Sequence, residues 1–106
     1  MSARLPKDPT HPGEMLLEEF LKPMGLTQSA FAKHTGVSFK RINEIVNGRR
    51  STTPETAWLF SQALGTTPQF WMNLQTTYDL VHGRAGRKVE RITAHASQRT
   101  ASQGSI

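Results

Sequence analysis

The residue types that most often carry out enzyme chemistry are sparse in this sequence and lack a productive spacing. The 106 residues include no cysteine, which excludes a thiol nucleophile, a disulfide framework, a zinc ribbon and an iron–sulfur cluster. The histidines, His11, His34, His82 and His95, lack metal-ligand spacing and form no recognisable Ser-His-Asp or His-Glu set. The sequence also has no glycine-rich phosphate loop. We therefore expect no catalysis, metal or cofactor, and structural or solvated roles for the histidines.

The charged residues are distributed unevenly. The net charge of +5 is by itself weak evidence for a polyanionic partner, so the position of the charge has to decide. Residues 33–50 hold five bases and one acid, whereas residues 8–22 hold four acids and one base. A second basic cluster, from Arg84 to Arg99, lies in a stretch with few large apolar residues. The middle of the chain is thus the candidate nucleic-acid surface.

The elements that position these charges are predicted to be helices. Apolar residues recur at helical spacing over residues 11–81, and no segment has the sustained alternation of a half-buried strand. The fold class is therefore all-α, a bundle of five helices. The first helix is expected to follow His11-Pro12-Gly13 and to stop near Lys22, at Pro23 and Gly25. The other four are expected to begin at the N-caps Thr27, Ser38, Thr53 and Thr67.

The ends of the chain lack this periodicity. We expect residues 1–10 to form a flexible arm, residues 11–81 the folded domain, and residues 82–106 a basic flexible tail. No run approaches the length of a membrane span, and the first residues lack the apolar stretch of a signal peptide. The prediction is a cytoplasmic protein without a membrane partner.

Residues 27–48, TQSAFAKHTGVSFKRINEIVNG, have the small and apolar positions that two helices crossing at a steep angle require. Ala32 lets the helices approach, Gly36 permits a tight turn, and Val37, Ile42 and Ile45 hold the third helix against the domain. This stretch resembles the helix-turn-helix of phage repressors and Xre-type regulators. An ordinary two-helix corner is the alternative, although such corners rarely have a basic outer face.

The flanking segments make the resemblance more specific. HPGEMLLEEFLKPMGLTQ, NGRRSTTPETA and ALGTTPQFWMNLQTTYDL look like the signature of HigA-type antitoxins, the Xre-family plasmid maintenance antidote proteins, over about residues 11–81. The resemblance implies a homodimer that neutralises a small RelE-like or HigB-like ribonuclease toxin and represses the operon encoding the pair. The basic tail after Asp79 has no counterpart in the family pattern.

In this motif the third helix enters the major groove of operator DNA. We expect its outward residues to approach base edges, and Gln28 and the loop after the helix to contact phosphates. Glu44 either accepts a hydrogen bond from a cytosine or, as we favour, orients Arg41 or Lys40. The predicted DNA-binding residues are Gln28, Ser38, Phe39, Lys40, Arg41, Asn43, Glu44, Asn47, Arg49 and Arg50.

The fourth and fifth helices carry more large apolar residues than a domain of this size is expected to bury alone. Because repressors of this kind read paired half-sites of a palindrome, we expect some of these residues to form a homodimer interface, with toxin contact as the alternative. The predicted interface residues are Trp58, Leu59, Phe70, Trp71, Leu74 and Tyr78.

The acidic cluster has a separate predicted role. A ribonuclease needs a cationic surface for its substrate, so its inhibitor gains association rate and register by presenting acids. We expect Asp8, Glu14, Glu18 and Glu19 to contact the toxin, unless these acids only keep the first helix soluble and favour its N-terminal dipole. Two other readings remain: a stand-alone Xre repressor without a toxin, and a helical interaction module whose basic tail binds RNA nonspecifically.

Overall fold

The computed structural model describes residues 5–93, and within them the chain forms five helices and no strand. We number them α1 to α5. Helix α1 runs without a break over residues 12–24, as Pro12–Met15, a π-helical turn Leu16–Leu21, and Lys22–Met24. The others are α2, Gln28–Thr35; α3, Phe39–Val46; α4, Pro54–Leu64; and α5, Pro68–His82. The predicted all-α class and five helices are confirmed.

Hydroxyl side chains begin four of the helices, as the sequence predicts. The side-chain oxygens of Thr27, Ser38, Thr53 and Thr67 each accept a hydrogen bond from the backbone N–H three residues later, at 3.0 to 3.3 Å. These bonds use N–H groups that have no partner inside the helix. Gly36 adopts the left-handed conformation, with φ of 80°, in the turn between α2 and α3.

Helix α1 departs from the prediction at Pro23, which does not stop it. The helix continues to Met24, and its left-handed C-cap is Gly25. Proline normally disrupts a helix because it lacks an N–H and its ring clashes with a carbonyl four residues earlier. Here the preceding turn is π-helical, so that the N–H of Lys22 donates to the oxygen of Leu17, five residues back. The wider turn accommodates the proline.

The core is formed by residues from all five helices. Trp71 of α5 lies at its centre and packs against the rings of Phe20, Phe60 and Phe70, with centroid distances of 5.0 to 5.5 Å. The indole N–H of Trp71 donates to the Thr66 hydroxyl at 2.7 Å. The buried apolar residues are Leu16, Leu21, Phe31, Ala32, Val37, Ile42, Ile45, Ala57, Phe60 and Trp71.

The start of α1 lies directly against α3. Gly13 is buried, and a Cβ added to it would overlap the carbonyl oxygen of Ile45 and lie 2.8 Å from the Cα of Val46. His11 precedes it, is buried, and its Nδ1 accepts a hydrogen bond from the N–H of Gly13 at 2.9 Å. The sequence His11-Pro12-Gly13 therefore begins α1 and allows α1 to pack closely against α3.

The segments outside the helices differ from one another. Residues 6–10 lie beside α5 and form with it a groove of about 350 Å³, lined by Pro6, Pro9, Phe70 and Leu74 among others. Residues 84–93 are exposed and have no regular secondary structure. The expectations for residues 1–4 and 94–106, including His95 and Arg99, lie outside the described residues. None of the helices in residues 5–93 is both long and apolar enough to cross a membrane.

Candidate nucleic-acid interface

Helix α3 is held with one side in the core and the other side outward. Ile42 and Ile45 are completely buried, and Val37 in the preceding turn is nearly so. The positions that the motif assigns to the interior are therefore interior. Polar and basic residues, with the ring of Phe39, occupy the remaining side of the helix, so α3 can approach a ligand without exposing the core.

The N-terminal end of α3 carries the most exposed of the predicted base-reading residues. Lys40 is exposed, and the ring of Phe39 is 51% exposed although it is a large apolar group. The Ser38 oxygen caps the helix by accepting from the N–H of Arg41 at 3.1 Å, which leaves its own O–H free to donate. This end of the helix offers one cation, one aromatic ring and one hydroxyl to a groove.

Further along α3, three amide side chains form a chain of hydrogen bonds. The Asn47 Nδ2 donates to the Asn43 Oδ1 at 3.2 Å, and the Asn43 Nδ2 donates to the Gln28 Oε1 at 3.0 Å. Gln28 is the first residue of α2, so the chain connects the two helices of the motif. The Gln28 amide oxygen is used in this chain, and its amide nitrogen can donate to a phosphate oxygen.

Glu44 orients an arginine, but not one of the two basic residues that the sequence suggests. Its Oε1 accepts from the Arg50 Nε at 2.8 Å, across the turn at the end of α3. The expectation of Lys40 or Arg41 as its partner is therefore wrong, because the backbone turn at Gly48 brings residue 50 back over the helix end. The hydrogen bond from Arg50 lowers the pKa of the Glu44 carboxyl.

The loop of residues 47–53 carries the other three predicted phosphate contacts, Asn47, Arg49 and Arg50. Arg49 and Arg50 are exposed, whereas Thr52, two residues on, is buried. The N–H of Thr52 donates to the Gln75 Oε1 at 2.7 Å, and Gln75 is itself buried. The loop thus presents its cations to solvent while its C-terminal part is attached to α5.

The acidic residues do not form one continuous helix face. Glu14, Glu18 and Glu19 are exposed on α1, and Glu18 forms an ion pair with Lys22 at 2.9 Å. Asp8 precedes α1 and lines the groove that residues 6–10 form with α5. All four carboxylates are accessible to a partner, but the toxin contact itself stays a prediction.

Among the residues expected at the dimer interface, the prediction for Trp71 is wrong. It is completely buried within the monomer, so its side chain cannot form part of a surface. It had the same helical spacing as its exposed neighbours, and spacing does not distinguish the core side from the outer side of an apolar helix. Trp58 is 56% exposed, and Leu59, Phe70, Leu74 and Tyr78 are partly buried.

Sequence reasoning missed Gly13 and Gln75 as contributors to this surface. Gly13 allows α1 to pack against the last turn of α3, and Gln75 binds the loop of residues 47–53 that carries Arg49 and Arg50. A signal for Gln75 was present, because it lies four residues after Trp71 and therefore on the same, buried side of α5. For Gly13 the sequence indicated only a helix start. Within residues 5–93 we find no group of three metal-ligating residues.

Comparison with known proteins agrees with this geometry. A family model described as helix-turn-helix matches residues 17–71. Virulence-associated protein I of Dichelobacter nodosus is 53% identical over 70 residues, which cover 66% of this chain and 65% of that protein. Antitoxin HigA-1 of Vibrio cholerae is 44% identical over 72 residues, 68% of each chain. The chain thus aligns with only about two thirds of the length of these relatives.

Similarity extends to a structure with bound DNA. The Pseudomonas aeruginosa antitoxin HigA, solved with the higBA promoter, is 37% identical, with a TM-score of 0.70 over 72% of this chain and 83% of that one. From the matched helix-turn-helix model, the aligned relatives and the shared fold, we conclude that this chain is a HigA-type member of the Xre helix-turn-helix family.

Proposed function

We propose that this protein is a sequence-specific DNA-binding antitoxin, which represses its own operon and neutralises a RelE-like or HigB-like ribonuclease toxin. The observation that carries the DNA-binding part is the similarity in fold to an antitoxin solved with its promoter, together with the burial of Ile42 and Ile45, which leaves the other side of α3 outward. The protein acts by binding rather than by catalysis. A protein with this role works beside the chromosome, in the cytoplasm.

On the operator, α3 lies in the major groove and the side chains divide into two groups. Lys40 donates to guanine acceptors, while Phe39 packs on a thymine methyl. Gln28 and the loop arginines contact phosphates, which position the protein on any sequence. Glu44 supports this second group, because its bond to Arg50 restricts the guanidinium at the end of α3.

Two alanine variants test this division. Lys40→Ala should cost about 1 to 3 kcal/mol of binding at one base position and flatten sequence preference, whereas Arg49→Ala should weaken all DNA sequences alike. Affinity is measured for the operator and for random duplex at several salt concentrations. Equal losses of operator and random-DNA affinity in Lys40→Ala would show that α3 does not contact the bases as proposed.

We propose that the DNA-binding form is a homodimer, because one helix-turn-helix contacts too few base pairs for genomic selectivity. Trp58 and the partly buried side chains of Leu59, Phe70, Leu74 and Tyr78 are its candidate interface. Light scattering at micromolar concentration should report a dimer, and Trp58→Asp or Leu74→Asp should reduce its mass toward that of a monomer. A stable monomer of the unmodified chain at high concentration contradicts this proposal.

The acidic residues of α1 are proposed to bind the toxin. They are exposed and lie on a different helix from the basic residues of α3, so one antitoxin could hold toxin and operator together. The double charge reversal Glu18→Lys with Glu19→Lys should weaken toxin binding and leave operator binding intact. Unchanged affinity for both toxin and operator would show that these acids do not bind the toxin. A loss of operator affinity alone would mean that α1, rather than α3, contacts the DNA.

The second candidate function is a stand-alone Xre repressor without a toxin. It shares the DNA contacts of α3 and differs only in the partner, so the operator experiments do not distinguish it. A short neighbouring reading frame that encodes a basic ribonuclease-like protein, and a complex of that protein with this chain, would favour the antitoxin. A salt-dependent footprint on a palindrome would dismiss the RNA-binding interaction module.

A further inference from the structure

The loop of residues 47–53 is attached to the domain at two places, and only one belongs to the helix-turn-helix. At the first, the backbone N–H of Arg49 donates to the backbone carbonyl oxygen of Glu44 at 2.8 Å, and the Arg50 Nε donates to the Glu44 carboxylate. Both contacts are local to the end of α3. An exposed loop fixed at one end only remains free to move at the other.

The second attachment comes from α5, which is outside the DNA-binding motif. Thr52 is 2% exposed, and its N–H donates to the Gln75 Oε1 at 2.7 Å across 23 positions of sequence. Gln75 is 4% exposed, so this bond is shielded from water. A buried N–H without its acceptor is costly, and the bond therefore strongly favours one position of the loop.

Asp79 determines which way the Gln75 amide faces. The Gln75 Nε2 donates to the Asp79 Oδ1 at 3.0 Å, one turn further along α5. Because a carboxylate only accepts, Asp79 retains the amide nitrogen on its own side and leaves the amide oxygen facing the Thr52 N–H. Asp79, Gln75 and Thr52 thus form one directed chain of hydrogen bonds.

We propose that Gln75 is a positioning residue for DNA binding, which acts from α5 by holding the loop that carries Arg49 and Arg50. This inference rests on the proposed contact of that loop with DNA phosphates. Thr52 is two residues from Arg50, so a displacement of Thr52 is transmitted directly along the backbone to the cations. The loop is therefore attached to α3 through Glu44 and to α5 through Gln75.

The test compares DNA binding by variants of the full chain whose folding is monitored by circular dichroism. Gln75→Met preserves the length of the side chain but neither accepts nor donates. We expect about tenfold weaker operator binding and a salt-dependence slope smaller by about 1, since a phosphate contact is lost or loosened. Gln62→Met is the matched control, because it makes the same substitution at an exposed position of α4 and should leave DNA affinity unchanged.

Two further variants separate a positioning role from a structural one. In an Arg49→Ala, Arg50→Ala background, Gln75→Met should reduce DNA affinity no further, whereas a general loss of structure would reduce it again. Gln75→Glu alone places two carboxylates together and should weaken binding. Gln75→Glu combined with Asp79→Asn exchanges donor and acceptor, restores both hydrogen bonds and should return affinity to within about twofold of the unmodified chain.

The outcomes distinguish this inference from the function on which it rests. If the two arginine substitutions leave DNA affinity and salt slope unchanged, the loop does not contact DNA and both the loop contact and the inference fail. If they weaken binding while Gln75→Met does not, only the inference fails. Should Gln75→Met not fold, Asp79→Ala replaces it, because Asp79 is exposed and its loss still frees the amide to turn. Unchanged salt slope in Asp79→Ala and no rescue in the exchanged pair would overturn the proposal.

Discussion

The side of α3 that we propose faces DNA (the DNA-facing surface) and the acidic side of α1 are both charged surfaces, but they are built differently. Gln28, Asn43 and Asn47 are bonded to one another across two helices, and Glu44 holds Arg50. On α1, the ion pair between Glu18 and Lys22 joins two residues of the same helix. One surface is organised by contacts between elements, and the other by the sequence of one helix.

This difference has a functional consequence for the two proposed partners. Sequence reading requires side chains fixed at the spacing of base pairs, so order in the free protein reduces the entropy lost on binding. Attraction of a cationic protein needs only charges of the correct sign in an accessible place. The organisation of the two surfaces therefore agrees with the proposed DNA recognition by α3 and the proposed charge-guided binding of the toxin by α1.

The largest effect is expected where α1 supports α3. Gly13→Ala introduces a Cβ that overlaps the Ile45 carbonyl oxygen, so α1 and the last turn of α3 must separate. We expect a loss of about 3 kcal/mol or more in the free energy of unfolding, measured by denaturant titration. Gly86→Ala is the matched control, because a Cβ there meets no atom within 4 Å. Equal stability of the two variants would contradict the close approach.

A smaller effect is expected within the DNA-facing surface itself. Asn43→Leu removes both hydrogen bonds that Asn43 forms and leaves the amides of Gln28 and Asn47 unconnected. The expected loss in the free energy of unfolding is about 1 to 2 kcal/mol, with weaker operator binding. Asn73→Leu, at an exposed position of α5, should change neither. Operator binding at the unmodified level in Asn43→Leu would mean that the amide chain does not organise this surface.

A pH dependence is expected from the residue that caps α1. Burial lowers the pKa of His11 below its ordinary value, against the opposing effect of Asp79 and Glu14. The unfolded chain then binds more protons than the folded chain just below about pH 6.5, so stability rises with pH in that window and falls on acidification. Protonation would also remove the acceptor for the Gly13 N–H.

The pH experiment uses melting temperatures between about pH 7 and pH 5, the range in which an ordinary histidine titrates. His11→Asn retains a capping oxygen but does not titrate in this range, so it should flatten the pH dependence. His34→Asn, at an exposed position, should leave it unchanged. An identical pH profile in His11→Asn and the unmodified chain would be the contrary result.

The smallest effect is expected on the acidic side of α1. Lys22→Ala removes the ion pair with Glu18, whose side chains are 59% and 45% exposed. Solvent screens such a pair, so the free energy of unfolding should fall by no more than about 0.5 kcal/mol. Denaturant titration at low and high salt measures it. A loss as large as that in Asn43→Leu would mean that both surfaces depend equally on their internal contacts.

Local chemistry explains which features were predictable from the residues. Thr27, Ser38, Thr53 and Thr67 cap helices through bonds to N–H groups three residues away, so a short sequence window contains both partners. The effect of Pro23 is not predictable in this way, because it depends on the hydrogen-bond register of the preceding turn. That register includes the π-helical bond between Lys22 and Leu17, which the residue types do not reveal.

The sequence by itself determined the five helices, the helix-turn-helix and the separation of basic from acidic segments, because these depend on periodicity, capping and composition. Only the tertiary structure decided that Trp71 is core, that Glu44 binds Arg50, that Gly13 touches α3, and that Gln75 holds Thr52. Three of these facts are contacts across a turn or between elements, and the burial of Trp71 depends on which side of α5 the other helices cover. Such contacts depend on how the helices pack, and many packings are compatible with the same local pattern.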